Sequence, residues 1–198
     1  MKLSILVPTI NKRLELLKSL LNEFEKQIGG DLIISKTEKL RVMTFNDVEI
    51  LIYSGDSETI GNKRNYLMQS AKGDYLCFFD DDDMPSEDYI KELLKSIESG
   101  ADCISLRGIM TTNGSNPEVF EHSLKYKSWR TTKNEIKYER YPNHLNCIKS
   151  NIAKQIKFPE INHGEDYDWS KKLHESGLLK SEYYTDKVLY HYKFVTNK

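Results

Sequence analysis

The chain predicts an α/β fold built on a parallel, doubly wound sheet, and two observations carry that expectation. Short apolar runs (Leu3–Val7, Val48–Tyr53, Tyr75–Phe79) each stop at a polar or proline break, as buried strands do. Segments with apolar residues at helical spacing lie between them, and strand–helix alternation of this kind builds parallel sheets. A third observation points to a site: four consecutive aspartates, Asp80 to Asp83, follow directly on Tyr75-Leu-Cys-Phe-Phe79. Open α/β sheets bind ligands beyond the carboxyl ends of their strands, which is where this run falls.

Taken in order, Leu3–Val7 reads as a first strand stopped by Pro8. Leu14, Leu17, Leu20, Leu21 and Phe24 then recur at helical spacing up to a Gly29-Gly30 stop. Val48–Tyr53 is a second strand ended by Ser54-Gly55-Asp56, and a helix from about Gly61 to Ala71 follows, closed by Gly73. After the third strand, Tyr89–Ile97 is helical up to Gly100, and Asp102–Ile109 reads as a fourth strand. Beyond about Met110 the pattern changes. A turn at Thr112-Asn-Gly-Ser-Asn-Pro117 joins two strand-like segments, and the stretch to Tyr141 reads as an irregular β excursion. His144–Ile148 returns to the sheet, Glu165–Leu173 is a helix, and Val188–Phe194 is a last strand.

At 198 residues the chain is expected to form one domain with a sizeable core. Lys+Arg 29 against Asp+Glu 30 leaves a net charge of −1, with no global signal for a polyanionic partner. Locally the balance differs: Ser123 to Glu160 holds nine Lys/Arg against three Glu, interleaved with Tyr126, Trp129, Tyr138 and Tyr141. Such a stretch is a solvated surface or a face for an anionic partner. The three cysteines, Cys77, Cys103 and Cys147, sit in apolar contexts and read as buried hydrophobes, not as a disulfide framework or zinc site. The opening apolar run is too short for a signal peptide, and no run of ~18 apolar residues exists, so a cytoplasmic protein with no transmembrane segment is expected.

Four adjacent carboxylates repel one another unless a cation or donor-rich ligand offsets them. A hard divalent ion, Mg²⁺ or Mn²⁺, shared with substrate phosphates is the simplest offset. The plainer alternative is a solvated loop capping the next helix, for which Ser86-Glu-Asp is suited. Similar pairs of readings hold elsewhere. Thr9 and Asn11, after the first strand, reach a ligand or cap a helix. Asp56 accepts from a base N–H or closes a turn after Gly55. Arg64 offers a planar fork to phosphate or carboxylate, or lies on the surface. Glu165 and Asp166 carry chemistry or complement a helix dipole. His191, in Leu189-Tyr-His-Tyr192, is a metal ligand or a structural histidine, and His144 and His163 share that ambiguity. Trp169 has the spacing of a core residue, whereas Trp129 lies in the polar excursion and suits sugar stacking.

Five motifs in order resemble the inverting, family 2 glycosyltransferases of the GT-A fold: Ile5-Leu-Val-Pro-Thr9 with Asn11, Ile50 to Asp56, Gly61-Asn-Lys-Arg-Asn65 with Ala71-Lys-Gly73, Phe79-Asp-Asp-Asp-Asp83, and His163-Gly-Glu-Asp166. The resemblance covers chiefly Lys2–Pro85 and His144–Leu173. It implies one Rossmann-like, mostly parallel central sheet flanked by helices, with a small β excursion in the second half. Residues 1–109 would bind a nucleotide sugar and 110–198 an acceptor. The implied donor site comprises Pro8, Thr9, Asn11, Asp56, Arg64, Asn65, Asp80 and Asp81, with uracil as the base Asp56 would read. Asp80-x-Asp82 aligns as the D-x-D, so Asp82 would hold Mn²⁺ or Mg²⁺, joined by Asp80 and by His191 as a late ligand. Asp83 would be a helper or cap. Asp166 would deprotonate the acceptor hydroxyl in a single displacement, and Glu165 would bind the acceptor or orient Asp166.

Two departures from the pattern matter. Ile10 stands where family members often carry a base-stacking aromatic, which leaves the base open. The chain is also short for the family, so the acceptor lobe must be minimal or completed by a homo-oligomer or partner. The basic stretch suggests an anionic acceptor: a glycan, a lipid phosphate or a modified nucleic acid. Three other readings compete. A D-x-D phosphohydrolase wants Gly-Thr after the pair, where Asp83-Met84 stands, and a sugar nucleotidyltransferase wants a glycine-rich loop where Pro8-Thr-Ile-Asn-Lys12 stands. A non-catalytic cation-binding module leaves Glu165-Asp166 unexplained.

Overall fold

The computed structural model describes residues 1–28 and 33–196. The chain forms β1 (Leu3–Thr9), α1 (Leu14–Gln27), β2 (Ile33–Lys36), β3 (Leu40–Phe45), β4 (Val48–Ser54), α2 (Ile60–Ser70), β5 (Tyr75–Phe78), β6 (Met84–Pro85) and α3 (Tyr89–Ile97). There follow β7 (Cys103–Ile104), β8 (Leu106–Thr112), β9 (Ser115–His122), β10 (Arg130–Thr131), β11 (Ile136–Arg140), β12 (Ile148–Lys149), α4 (Ser150–Ala153), α5 (Glu165–Ser176), β13 (Glu182–Tyr183) and β14 (Val188–Phe194). The expected Gly29-Gly30 stop after α1 lies outside the described residues.

The first sheet runs β13-β7-β12-β5-β1-β4-β3-β2. Its centre is parallel as expected, with β1 between β4 and β5. Its flanks bring in antiparallel pairs: β2 and β3 form a hairpin beside β4, and β12 runs against both β5 and β7, while edge strand β13 lies parallel to β7. The hairpin strands have no counterpart in the sequence-based expectation. β2 is short and exposed, Ile33 and Ile34 included, which hides the alternation that marks a strand, whereas β3 does alternate and buries Met43 and Phe45. Asn46, at a φ of 46°, takes the left-handed conformation in the tight turn that pairs Phe45 with Val48.

β1 runs two residues past its predicted stop. Pro8 is tolerated because β5 is already paired out at Leu6, so beyond that point β1 has a strand on one side only. Helices cover both faces of the sheet. On one face Leu17, Leu20, Leu21 and Phe24 of α1 and Tyr89, Ile90 and Leu93 of α3 pack on Leu3, Ile5 and Val7. On the other, Leu67 and Met68 of α2 and Trp169 and Leu173 of α5 pack on Leu6, Leu51 and Phe78. The period-2 alternation of β1 therefore feeds both cores.

The second half departs from an irregular excursion. It forms a sheet of its own, β10-β11-β9-β8-β14-β6. The predicted strand Asp102–Ile109 is split between the two sheets at Ser105, whose hydroxyl donates to the Thr185 carbonyl at 3.2 Å and accepts from the Thr185 N–H at 2.8 Å. The final strand keeps its predicted bounds but pairs in this second sheet, with β8 and β6. The expected return at His144–Ile148 is mostly a turn, in which Asn143 N–H donates to Asn146 Oδ1 at 2.9 Å. The Phe78 N–H bonds the His144 carbonyl at 2.9 Å and fixes that turn beside the end of β5.

Gly61 positions one further segment. A Cβ there would stand 1.8 Å from the Pro159 carbonyl oxygen, so only glycine lets α2 approach the 159–161 backbone. Among the described residues no helix is long and apolar enough to cross a membrane. Cys77, Cys103 and Cys147 are buried and free.

Candidate active site

The carboxyl ends of β1, β4 and β5 converge, and the acidic run begins there. Its four carboxylates alternate in environment. Asp81 and Asp83 are each 2% exposed, while the side chains of Asp80 and Asp82 are 31% and 13% exposed. The i, i+2 pair open to solvent is therefore Asp80-x-Asp82.

Each member has compensation built in. Asp81 accepts from Thr9 Oγ1 at 2.6 Å and from Arg13 at 2.8 Å, and Arg13 also lies 3.4 Å from Asp82. Asp80 accepts from Arg64 at 3.0 Å, and His144 Nε2 stands 3.8 Å away. Burial alone would raise the Asp80 pKa, but Arg64 and His144 outweigh it and hold the carboxyl well below its ordinary value. Asp83 accepts from the Tyr190 hydroxyl at 2.7 Å and the Lys193 N–H at 2.8 Å. Burial, with Asp80's charge, pushes its pKa up to about 7. Asp83 thus anchors β14 to the run and does not cap α3.

The first cavity, of about 420 Å³, lies beside this run and is lined by Pro8, Thr9, Arg13, Asp56, Lys63 and Asp81, among others. Asn11 sets the orientation of Asp56, donating its backbone N–H to Oδ1 at 3.0 Å and its side-chain amide to Oδ2 at 2.6 Å. Lys63, buried, donates to the Thr9 carbonyl at 3.1 Å. Burial lowers its pKa against the opposing pull of Asp56, Glu58 and Asp81. Ile10 is part of the lining where an aromatic was looked for. Arg13 and Lys63 escaped the sequence reading as site residues. Lys63 lay within the Gly61–Asn65 motif, and Arg13 follows two residues after Asn11, so a signal was present for both.

Arg64 is the junction between the two halves. Its guanidinium lies over Phe78 and Phe158, 5.1 and 5.9 Å from their ring centroids. Nε donates to Glu165 at 3.2 Å and Nη2 to Asp80 at 3.0 Å. Burial opposes its charge, yet Asp80, Glu165 and Asp166 raise its pKa. Adjacent helical residues point about 100° apart, so at the start of α5 Glu165 turns to Arg64 while Asp166 faces a second cavity. Glu165 is buried on Arg64 and borders the first cavity, not the second. Asn65 is a correction. Its amide pairs with both backbone groups of Phe158 at 2.9 Å, which leaves it a structural clamp outside both cavities.

The second cavity, of about 400 Å³, is lined by Asp80, Asp83, Asp166, His144, Trp129 and Tyr192, among others. Three of the predicted carboxylates thus meet at one place. His191 does not join them. Strand alternation puts Tyr190 and Tyr192 on the face of β14 toward the acidic run, so His191 points to the other face, and its charged neighbour is Lys193. The metal-ligand expectation for His191 is therefore withdrawn. His163 is exposed, His144 is buried, and Trp169 is a core residue stacked on Phe158 at 4.9 Å.

Four of the nine cations of the basic stretch are neutralised by acids within the fold. Lys125, Arg130, Lys137 and Lys149 pair with Glu121, Glu139, Glu118 and Asp102. A divalent ion fits the run in one way. Among the described residues, no three His, Cys, Asp or Glu side chains converge to hold a metal unaided. Mg²⁺ and Mn²⁺ typically use one or two carboxylates plus substrate phosphates, and Asp80 and Asp82 are the members of the run that reach solvent.

The mixed sheet with helices on both faces is an α/β fold of the GT-A glycosyltransferase type, as comparison with solved structures shows. S. aureus TarS 1–349 in complex with UDP-GlcNAc superimposes with a TM-score of 0.71 at 18% identity, over 100% of this chain and 60% of that one. TarS 1–349 alone gives 0.67 at 20% identity, over 98% and 60%. The longer TarS chain gives 0.67 at 18%, over 98% of this chain and 37% of its own. The present chain therefore spans 60% or less of the length of these chains. No curated protein matches it. The sequence model of glycosyl transferase family 2 matches residues 50–156, more than half of the chain. The chain belongs to glycosyl transferase family 2.

Proposed function

We propose that the protein is an inverting glycosyltransferase that moves a sugar from a nucleoside-diphosphate sugar, a UDP-sugar by preference, to an acceptor hydroxyl. One observation carries the reading: two cavities are joined through Asp80, Arg64 and Glu165, and the second is lined by both Asp166 and Asp80. Family membership supports it, as do the TarS complexes with UDP and UDP-GlcNAc, which share the fold.

In this reading Asp56, oriented by Asn11, accepts from the base, and Thr9, Arg13 and Lys63 border the nucleotide. The acceptor hydroxyl gives its proton to Asp166 as its oxygen bonds the anomeric carbon, while the bond from that carbon to the diphosphate breaks with its electron pair. Carboxylates nearby favour the oxocarbenium-like transition state. Asp82 and Asp80 would hold Mn²⁺ or Mg²⁺, which when bound supplies Lewis-acid stabilisation of the diphosphate leaving group. Residues 1–109 supply most of the donor cavity and 110–198 most of the acceptor cavity within one domain.

A thermal-shift series with UDP, UDP-sugars and other nucleoside diphosphates, with and without Mn²⁺, tests the donor. A ligand at 100 times its Kd stabilises by ~2.7 kcal/mol. Stabilisation by UDP or a UDP-sugar that grows with Mn²⁺ is expected. No response to any nucleotide would sink the reading.

A further inference from the structure

Arg140, at the end of β11, lines the cavity that holds Asp166, and it differs from the other cations of its stretch. Among the described residues no carboxylate pairs with it. Its Nη1 donates to the carbonyls of Arg130 at 2.6 Å and Glu139 at 3.0 Å, which leaves Nε and Nη2 for a planar contact. The guanidinium lies 5.2 Å from the Trp129 ring and 5.5 Å from that of Tyr138, and both rings border the same cavity. Burial lowers its pKa, as befits a cation lacking a counter-charge.

A second observation is independent of the charge. Nδ1 of His122, Nδ1 of His144 and Nε1 of Trp129 are buried without hydrogen-bond partners, while Nε2 of His144 faces Asp80 at 3.8 Å. All three residues line this cavity, and His122 and His144 are 5% and 4% exposed. Buried polar atoms are normally bonded, and these three belong to residues that line one cavity, where a ligand's polar groups would satisfy them. The indole N–H can only donate, whereas a neutral imidazole presents one donor and one acceptor. Hydroxyl groups satisfy both kinds of atom. They do not supply the charge that Arg140 lacks.

We propose that the cavity takes an acceptor carrying hydroxyl groups and an anion, carboxylate or phosphate, and that Arg140 reads the anion. The proposal rests on the reading of Asp166 as the base in this cavity. Its charge recognition comes from one guanidinium inside the cavity and not from the basic stretch as a whole, whose other cations are paired or face elsewhere.

The test titrates the full chain with glucose, glucose 6-phosphate and glucuronate, following Trp129 emission. The two tryptophans are Trp129 and Trp169, so Trp129→Phe supplies the blank for the buried one. At least one anionic probe should bind more tightly than glucose by about tenfold or more, the scale of a charge-assisted hydrogen bond. The two anionic arms tell phosphate from carboxylate. Arg140→Gln, checked for folding by circular dichroism, should erase the preference, and Arg140→Lys should keep part of it. Equal binding of all three probes, binding of none, or a preference that survives Arg140→Gln overturns the proposal. If Arg140→Gln does not fold, the ranking on the parent chain and on Arg140→Lys still decides. UDP affinity measured on the same samples addresses the other cavity, so failure of the glycosyltransferase reading is seen separately from failure of the anion site.

Discussion

Arg64 and Glu165, 101 positions apart in the chain, form a buried ion pair at 3.2 Å. Through the second hydrogen bond of Arg64, to Asp80, this pair ties the first turn of α5 to the acidic run after β5. The relative placement of Asp166 and Asp80 thus depends on a guanidinium that lines neither cavity.

The first prediction follows from that pairing. Arg64→Met leaves Glu165 buried with its partner gone, and breaking a buried pair from one side costs ~3–5 kcal/mol. Urea denaturation should show a loss of that size, and a loss under ~1 kcal/mol would mean that the pair is solvated. Glu165→Gln should be milder, because an amide still accepts from Nε.

The acidic run separates by burial. Asp82→Ala should remove the Mn²⁺-dependent part of UDP stabilisation while leaving the melting temperature of the free protein nearly unchanged. Asp83→Ala should do the reverse, because it strips partners from the Tyr190 hydroxyl and the Lys193 N–H, at ~1–3 kcal/mol for an unsatisfied buried group. Thermal shifts with and without UDP and Mn²⁺ check both. Equal effects of the two substitutions would mean that the alternation does not divide their roles.

Asp56→Ala should weaken UDP by ~1–3 kcal/mol, the worth of a hydrogen bond to a charged group. Asn11→Ala should produce part of the same loss, since Asn11 donates to both oxygens of Asp56. Calorimetric titration with UDP reads both, and an unchanged affinity in Asp56→Ala reduces that residue to a turn aspartate.

Asp166→Asn keeps the shape of the side chain but cannot take a proton. Donor affinity should persist while transfer falls ~10²–10⁴-fold. Steady-state transfer measured beside UDP affinity separates the two. Transfer at the parental rate would return Asp166 to a helix-start role and move the search for a base to the other groups of the second cavity.

Burial, with the nearby charges of His144 and Arg140, lowers the His122 pKa to about 3 from its usual 6.5. The folded value lies below the unfolded one, so the unfolded chain binds the extra proton between them. The stabilisation is complete above about pH 6.5 and is lost as the pH falls toward 3. In that window His122→Gln should flatten the pH dependence of unfolding by up to ~1.4 kcal/mol per pH unit. Denaturation at pH 7, 6, 5 and 4, each roughly one unit apart, checks this, and parallel curves for parent and variant would count against it.

The strands that build the site were legible because each is a short run with its own ending. Leu3–Val7, Val48–Tyr53 and Tyr75–Phe79 needed no partner to be recognised, and the polar residues that follow them marked where a ligand would sit. Within the acidic run, Asp80 and Asp82 are the side chains that reach solvent, while Asp81 and Asp83 turn inward. β2 was not legible, because its exposed residues, Ile33 and Ile34 among them, carry no burial pattern, and without β2 the hairpin it forms with β3 had no second strand.

By itself the sequence determined the α/β class, the strand ends and the carboxylates gathered there, because periodicity and strand-end chemistry operate within a few residues. Tertiary structure alone decided which partner each polar group meets. It turned Glu165 onto Arg64, set Asn65 on the Phe158 backbone and pointed His191 away from the acidic run. It also paired Lys125, Arg130, Lys137 and Lys149 with acids and left Arg140 facing a cavity. The physical reason is range. A helix or strand is written into neighbouring residues, but a side chain's hydrogen bond or ion pair is a contact between segments that only the folded chain brings within a few ångströms.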